Sequence, residues 1–372
     1  MQVQGNKSYA TSYGLTFLGI LVSLSFLTSC SKQTEVHFFT ADNYPATLSQ
    51  WGLFEQSHNR LSPHNSTHVY SLNTALFSDY AHKLRTVYVP KGKTLNYQEF
   101  EAFNAPVGTI ISKTFFYPIN QKDQVQLTND LDHQQINLAQ NRLIETRLLI
   151  RQDHGWDALP YIWKDGDGHL AITGDLISLS TNSEPLNYLV PSKNQCASCH
   201  ATDHTKGDVL PIGLKARHLN RPTINGADNQ LMHWAASGLL TNLPTLADVP
   251  KNANLMQPGD LEHKARTYLD INCGHCHNPT GAADTSGLLL DYQPHREDLL
   301  GVCKPPIAAG RGSGGKLYSI VPGHADESIL SFRMTTNDPG SMMPELGRSL
   351  VHTEGVELIN KWINSMPQNP CL

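Results

Sequence analysis

Cys196-Ala-Ser-Cys199-His200 and Cys273-Gly-His-Cys276-His277 are two complete Cys-x-x-Cys-His strings in one chain. Thiols three residues apart lie about one helical turn from each other, so both can add to the two vinyl groups along one haem edge. The histidine that follows then offers its imidazole to the iron as proximal ligand. The spacing points to two covalently bound haem c groups. Cys196, Cys199, Cys273 and Cys276 are the expected attachment sites, and His200 and His277 the expected iron ligands. A pair of zinc knuckles is the competing use of these residue types. Zinc has no use for a histidine directly after the second cysteine in both copies.

Haem of this kind is attached outside the cytoplasm, and the first thirty residues agree with export. Lys7 precedes an apolar, uncharged run over residues 14–27, shorter than the about 20 residues of a comfortable membrane span. The run ends in Leu27-Thr28-Ser29-Cys30, which resembles the bacterial lipobox. That resemblance implies a signal peptide over residues 1–29, cleavage before Cys30 and lipidation of its thiol. Ser31 in the next position favours the outer membrane in the lipoprotein sorting pattern. An ordinary core helix containing Cys30 is the alternative. Of seven cysteines, four haem thiols and one lipid thiol leave Cys303 and Cys371. In an oxidising compartment these are expected to form a disulfide, with two free thiols as the alternative.

Composition narrows the class without identifying it. The chain has 372 residues, a net charge of −5 and 16% charged residues, with no basic stripe for nucleic acid. After the leader no apolar run is long enough to cross a bilayer, so a body tethered through Cys30 is expected. Gly310-Arg-Gly-Ser-Gly-Gly-Lys316 has the glycine and lysine spacing of a phosphate loop. Leu317 stands where the Mg²⁺-binding Ser or Thr would be, so no nucleotide site is expected. Asp165-Gly-Asp-Gly168 lacks the remaining ligands of a calcium loop and reads as a hairpin turn.

The elements that must position the motifs change character along the chain. Residues 30–75 are mixed and read as a tether and irregular or strand-containing segment. Short β-branched and aromatic runs at 84–90, 108–117, 144–151 and 158–163, separated by turn signals, predict an antiparallel sheet. The first motif follows the last of them. Residues 228–240 have helical periodicity, 243–258 is a Pro- and Asn-rich linker candidate, and 260–272 begins at a good cap and runs into the second motif. Residues 353–363 predict a last helix. The expected fold class is α+β: a β-rich haem domain over 76–242 and a small all-α domain over 259–372.

Met342 and Met343 precede Pro344 in Ser-Met-Met-Pro-Glu-Leu-Gly347. The order of entering helix, Cys-x-x-Cys-His, Met-Pro and last helix resembles a class I cytochrome c. The resemblance puts Met343 first, and Met342 second, as distal ligand of the second iron; plain core packing is the alternative, and Met334 reads as a buried helix face. For the first iron His204, His218, Met232 and His233 are available without a diagnostic loop. His218 and Met232 are the best options, with a surface histidine and a core methionine as the alternative readings, and an iron with no sixth protein ligand is the further alternative. Residues 75–205 weakly resemble the cytochrome P460 and c′-β fold. There the only counterpart of the haem-linked lysine is Lys113, which also reads as an ordinary strand lysine.

The strings at 76–81, 106–109, 145–149, 188–191 and 194–200 come in the order found in a bacterial family of dihaem c-type cytochrome lipoproteins. So do those at 268–279, 321–324 and 342–348. The resemblance covers nearly everything after the leader and implies two haems and export, with no settled reaction. The expected function is single-electron transfer between the haems and a redox partner protein in the cell envelope. A dihaem oxidoreductase, peroxidase-like or P460-like, with an open first iron is the alternative. A haem sensor or accessory subunit is the third.

Overall fold

Side chains that alternate about a pleated backbone settle into one antiparallel sheet here. The computed structural model describes residues 1–10, 35–226, 228–292, 299–307, 309–368 and 371. Cys30 and residues 11–29 of the expected signal peptide lie outside them, and residues 1–10 carry no regular secondary structure. The strands are β1 (Phe54–Ser57), β2 (Arg60–Pro63), β3 (Thr67–Val69), β4 (His82–Tyr88), β5 (Leu95–Asn96) and β6 (Ile110–Pro118). They continue with β7 (Ile136–Asn137), β8 (Asn141–Gln152), β9 (Gly155–Lys164), β10 (Asp167–Leu170), β11 (Asp175–Leu179), β12 (Leu186–Val190) and β13 (Leu240–Thr241). The main sheet has the order β10-β9-β8-β6-β4-β3, with every pair antiparallel. Its four inner strands are the four runs read from the sequence. Asp165 and Gly166, at φ of 53° and 84°, form the two-residue turn between β9 and β10. Left-handed backbone at both positions suits the twist of a hairpin.

One face of this sheet is covered from the N-terminal side, with apolar side chains around the buried hydroxyl pairs Thr86–Ser112 and Thr114–Thr146. Leu48, Trp51 and Leu53 pack on Ile110, Leu148, Ile150, Leu159 and Tyr161. Trp51 Nε1 donates to the Tyr161 hydroxyl at 2.9 Å, which donates on to the Pro45 carbonyl at 2.9 Å. The segment expected as a tether therefore supplies part of the core, and β3 pairs with β4 across the boundary expected at residue 76. The opposite face is apolar at its two ends. Val87, Ile111 and Trp156 meet Leu214, Leu231 and Trp234 at one end, while Phe115 and Tyr117 meet Leu186, Tyr188 and Val190 at the other. Between these ends it carries Lys83, Arg85, Lys113 and Arg147.

The helices are α1 (Lys193–His200), α2 (Ala216–Leu219), α3 (Gln230–Ala236), α4 (Leu261–Asn272), α5 (Ile329–Thr335) and α6 (Thr353–Ser365). The class is thus α+β. Asn229 caps α3 and Asp260 caps α4 through their side chains. Ala265, Leu269, Leu330, Met334, Ile359 and Trp362 form the core between α4, α5 and α6. Met334 is a buried face of α5, as its periodicity suggests. The stretch expected as a linker is packed into the protein: Asn252 has 0% exposure and Val249 is buried. The chain from residue 36 onward makes a single compact unit.

Cys303 and Cys371 are joined in a disulfide across 68 positions. Closing a loop of that length removes chain entropy worth about 4 kcal/mol from the unfolded state. Cys303→Ser with Cys371→Ser is expected to lower stability by about 2–4 kcal/mol. Denaturant midpoints with and without reductant check this; a variant as stable as the oxidised protein would contradict it.

Candidate functional site

The first motif is presented by α1. Ser192 Oγ accepts from the Gln195 amide at 3.3 Å while the Gln195 side chain accepts from the Ser192 amide at 2.9 Å, so the helix starts one turn before Cys196. Cys196 and Cys199 then fall a turn apart, the first buried and the second half-buried. His200, at the end of α1, places its Nδ1 2.7 Å from the Leu210 carbonyl. Nδ1 must donate there, which leaves the Nε2 lone pair free. Burial, reinforced by the charges of Lys113, His275 and Arg147 and opposed by the Leu210 bond, pushes the imidazole pKa down to about 3. His200 is a neutral imidazole with its tautomer set.

The second motif reaches the same state by a different route. α4 ends at Asn272, and the Cys276 and His277 amides donate to the Cys273 carbonyl at 3.0 and 2.9 Å, forming a tight turn. His277 Nδ1 lies 3.1 Å from the Leu288 carbonyl and 3.2 Å from Ser286 Oγ. Burial holds this imidazole below its usual range, against the Leu288 bond. In both motifs a carbonyl 10 or 11 positions downstream accepts the Nδ1 proton. A donated Nδ1 proton raises the basicity of Nε2 and fixes the ring plane, as metal-binding histidines require. Two sulfurs a turn apart and a neutral, oriented Nε2 fit a covalently attached haem at each motif.

The two motifs touch each other. Cys276 Sγ lies 3.5 Å from the Ser198 carbonyl, inside the first motif. Asn278 Nδ2 donates to the Thr202 carbonyl at 3.2 Å, and the His204 amide donates to the Thr280 carbonyl at 2.8 Å. The chains leaving both motifs are thereby stitched side by side.

No family model, curated protein or solved structure matches this chain. Its site must be read from its own residues.

Met342 is buried and Met343 half-buried, in a loop built around Arg348. The Arg348 guanidinium donates to the carbonyls of Met343, Arg333, Thr336 and Leu350 and to Asn337 Oδ1. From the other side the Asp79 carboxylate accepts from the Ser349 amide at 2.7 Å and the Leu350 amide at 2.8 Å. Arg333 acts electrostatically on His277, and Glu345 on Cys276, so this loop stands beside the second motif. Sequence reading missed Arg348 and Asp79; an isolated charge in a mixed loop carries no periodic signal.

Of the four candidates for the first iron, only His218 is committed elsewhere. Met232 is 53% exposed and His233 is exposed. His218 is wedged between Asn252 at 3.0 Å and Asp270 at 3.6 Å. His204 is exposed, and its Nδ1 lies 2.8 Å from the Thr280 carbonyl, the same bond that leaves Nε2 free in His200 and His277. Lys113, by contrast, acts on His200. Lys316 of the glycine-rich loop is held by the Asp326 carbonyl. Among the described residues, His82, Asp130 and His133 also gather metal-capable atoms, with His82 Nδ1 3.0 Å from His133 Nε2. Asp130 already receives Arg85 and the Lys83 amide at 2.9 Å each, with the Lys83 ammonium at 3.9 Å, and the two side-chain cations would repel a dication.

Burial pushes His82 and His352 down to about 4 and His218 down to about 3, from 6.5. Each is neutral when folded and takes up a proton on unfolding. Their contribution is therefore constant above pH 6.5 and falls as pH drops from 6.5 towards 4. The slope is at most about 1.4 kcal/mol per pH unit for each group. Thermal melting between pH 7 and 4.5 is expected to show this loss; a flat profile would contradict it.

Proposed function

We propose that this chain is a dihaem c-type cytochrome that passes single electrons in the cell envelope. The observation that carries the reading is the matched state of His200 and His277: each Nδ1 is bound to a backbone carbonyl and each Nε2 is left for iron. A haem held at each motif supplies a one-electron ferric/ferrous couple. The residues of the chain bind it by Cys196 and Cys199 or by Cys273 and Cys276, orient the proximal imidazole and keep that imidazole neutral. Contact between the motifs supports a short relay, because electron tunnelling weakens steeply with distance. Met343 is the proposed distal ligand of the second iron; a thioether favours the ferrous state and suits a carrier.

The envelope location and the lipid anchor on Cys30 rest on the leader sequence. No helix among the described residues is long and apolar enough to cross a membrane. The partner is a redox protein of the same compartment. Purified protein is expected to carry two haems per chain by pyridine haemochromogen and intact mass. A chain loaded with zinc and free of haem would overturn the reading. Met343→Ala is expected to remove the methionine charge-transfer band from the ferric spectrum and lower one midpoint potential; an unchanged spectrum would reassign the ligand.

One observation favours a second reading, a dihaem oxidoreductase with an open first iron. Met232, His233 and His204 are exposed and His218 is engaged elsewhere, while Lys113 and Arg147 act on His200. Electron paramagnetic resonance separates the two: one high-spin and one low-spin haem favours the enzyme, two low-spin haems the carrier.

A further inference from the structure

The middle of the main sheet carries an arrangement that electron transfer does not use. The register of β4, β6 and β8 sets Arg85, Lys113 and Arg147 directly opposite one another, three cations in one row across three strands. The neighbouring row on the same face is Lys83, Phe115 and Glu145. Like charges opposite each other destabilise a sheet. Here the cost is larger, because Lys83 and Arg85 are 3% and 5% exposed.

Two carboxylates answer these four cations. Asp130 takes Arg85 at 2.9 Å and Lys83 at 3.9 Å. Glu145, with 0% exposure, takes Arg147 at 2.6 and 2.9 Å and the Tyr188 hydroxyl at 2.7 Å. Lys113 has neither. Among the described residues its partner is the Phe115 ring, with the ammonium 5.3 Å from the centroid. Burial, then the charges of Arg147, Arg85 and Lys83, push its pKa down to about 7 against the weaker attraction of Glu145. The row looks onto the first motif: Lys113 and Arg147 both act on Cys196, Cys199 and His200.

We propose that Lys113 and Arg147 form an anion-binding site beside the first Cys-x-x-Cys-His motif, taking a carboxylate or a small oxyanion. An anion there supplies the counter-charge that the chain lacks and relieves the repulsion built into the register. It also gives Lys113, half-buried on the sheet, a charge-assisted partner. Two sources share this chemistry: a propionate of the haem proposed at Cys196 and Cys199, or a free anion bound next to it. The neighbouring haem rests on the function proposed above; the charge imbalance does not.

The test uses the purified, haem-loaded full chain, as wild type, Lys113→Met and Lys113→Arg. Lys113 is replaced because its removal leaves no carboxylate unpaired, and thermal unfolding checks that each variant is folded. The haem count per chain reports separately on the dihaem reading. Ferric protein is titrated with formate and with nitrite, followed in the Soret band, and both midpoint potentials are measured. For a free anion, Lys113→Met weakens formate and nitrite by about tenfold or more, the worth of one charge-assisted bond, and Lys113→Arg restores them. For a propionate, the titrations do not change, one midpoint potential falls in Lys113→Met because the ferric state loses a repelling charge, and Lys113→Arg restores it. If Lys113→Met moves neither the anion affinities nor a potential, there is no anion site and the proposal is wrong. If the chain carries no haem, thermal shift with phosphate reads the same site, and equal shifts in wild type and Lys113→Met overturn it.

Discussion

Serine at both Cys273 and Cys276 is expected to cut covalent haem from two groups per chain to one. The attachment chemistry needs both sulfurs on one edge and His277 oriented behind them. α4 and the turn closed on the Cys273 carbonyl provide that without help from the first motif. The first motif has its own helix, cap and carbonyl acceptor, so it stays loaded. Removal is nonetheless felt across the contact. Cys276 Sγ lies 3.5 Å from the Ser198 carbonyl, so the remaining haem is expected to shift its midpoint potential. Haemochromogen absorbance and intact mass give the count, and potentiometry gives the shift. Cys196→Ser with Cys199→Ser is the mirror experiment. Retention of two haems in either double variant would overturn the assignment of these four cysteines.

Asp270→Asn is expected to cost about 3–5 kcal/mol of stability, the range for breaking a buried ion pair from one side. Arg217 and Asp270 are 3% and 4% exposed and meet as a fork at 2.7 and 2.9 Å. Asn252 Nδ2 and the Tyr292 amide each donate to the same carboxylate at 3.0 Å. Burial opposes ionisation of Asp270, yet Arg217 holds its carboxyl well below the usual carboxylate range. A depressed carboxyl stabilises the fold above its unfolded pKa, and that contribution is lost as pH falls through the folded value. Asparagine leaves the Arg217 charge buried without its counter-charge, with the Phe100 carbonyl as its remaining acceptor. Arg217→Met with Asp270→Leu removes both charges and is expected to recover most of the loss. Asp270 lies three positions before Cys273, so Asp270→Asn also loosens the approach to the second motif. Denaturant unfolding of the wild type and both variants measures this; a loss below about 1 kcal/mol in Asp270→Asn, the level of a surface pair, would contradict it.

Legibility in the sequence followed the range of the physics. Four inner strands, the helices α3, α4 and α6, and the hairpin at Asp165 were readable because their signals are local: β-branched runs, helical periodicity, a cap, a left-handed turn. The N-terminal cover was not. Trp51 and Leu53 sit in a mixed segment whose order comes from the sheet it lies on, and that sheet is made by residues much later in the chain. The linker between 243 and 258 read as loose because proline and asparagine break periodicity. Asn252 is nevertheless fully buried, since its amide completes the Asp270 cluster.

The residues by themselves determined the chemistry that is possible at each motif: two thiols one turn apart, a histidine next to them, and a remaining cysteine pair that forms the disulfide. Those are properties of spacing, and spacing survives in any fold that makes one helical turn. The tertiary structure alone decided which atoms complete them. It brought the Leu210 and Leu288 carbonyls to His200 and His277, set the two motifs against each other, and lined Arg85, Lys113 and Arg147 up before the first. Each of these joins atoms whose separation depends on register and packing across the whole sheet, which no local pattern of residue types encodes.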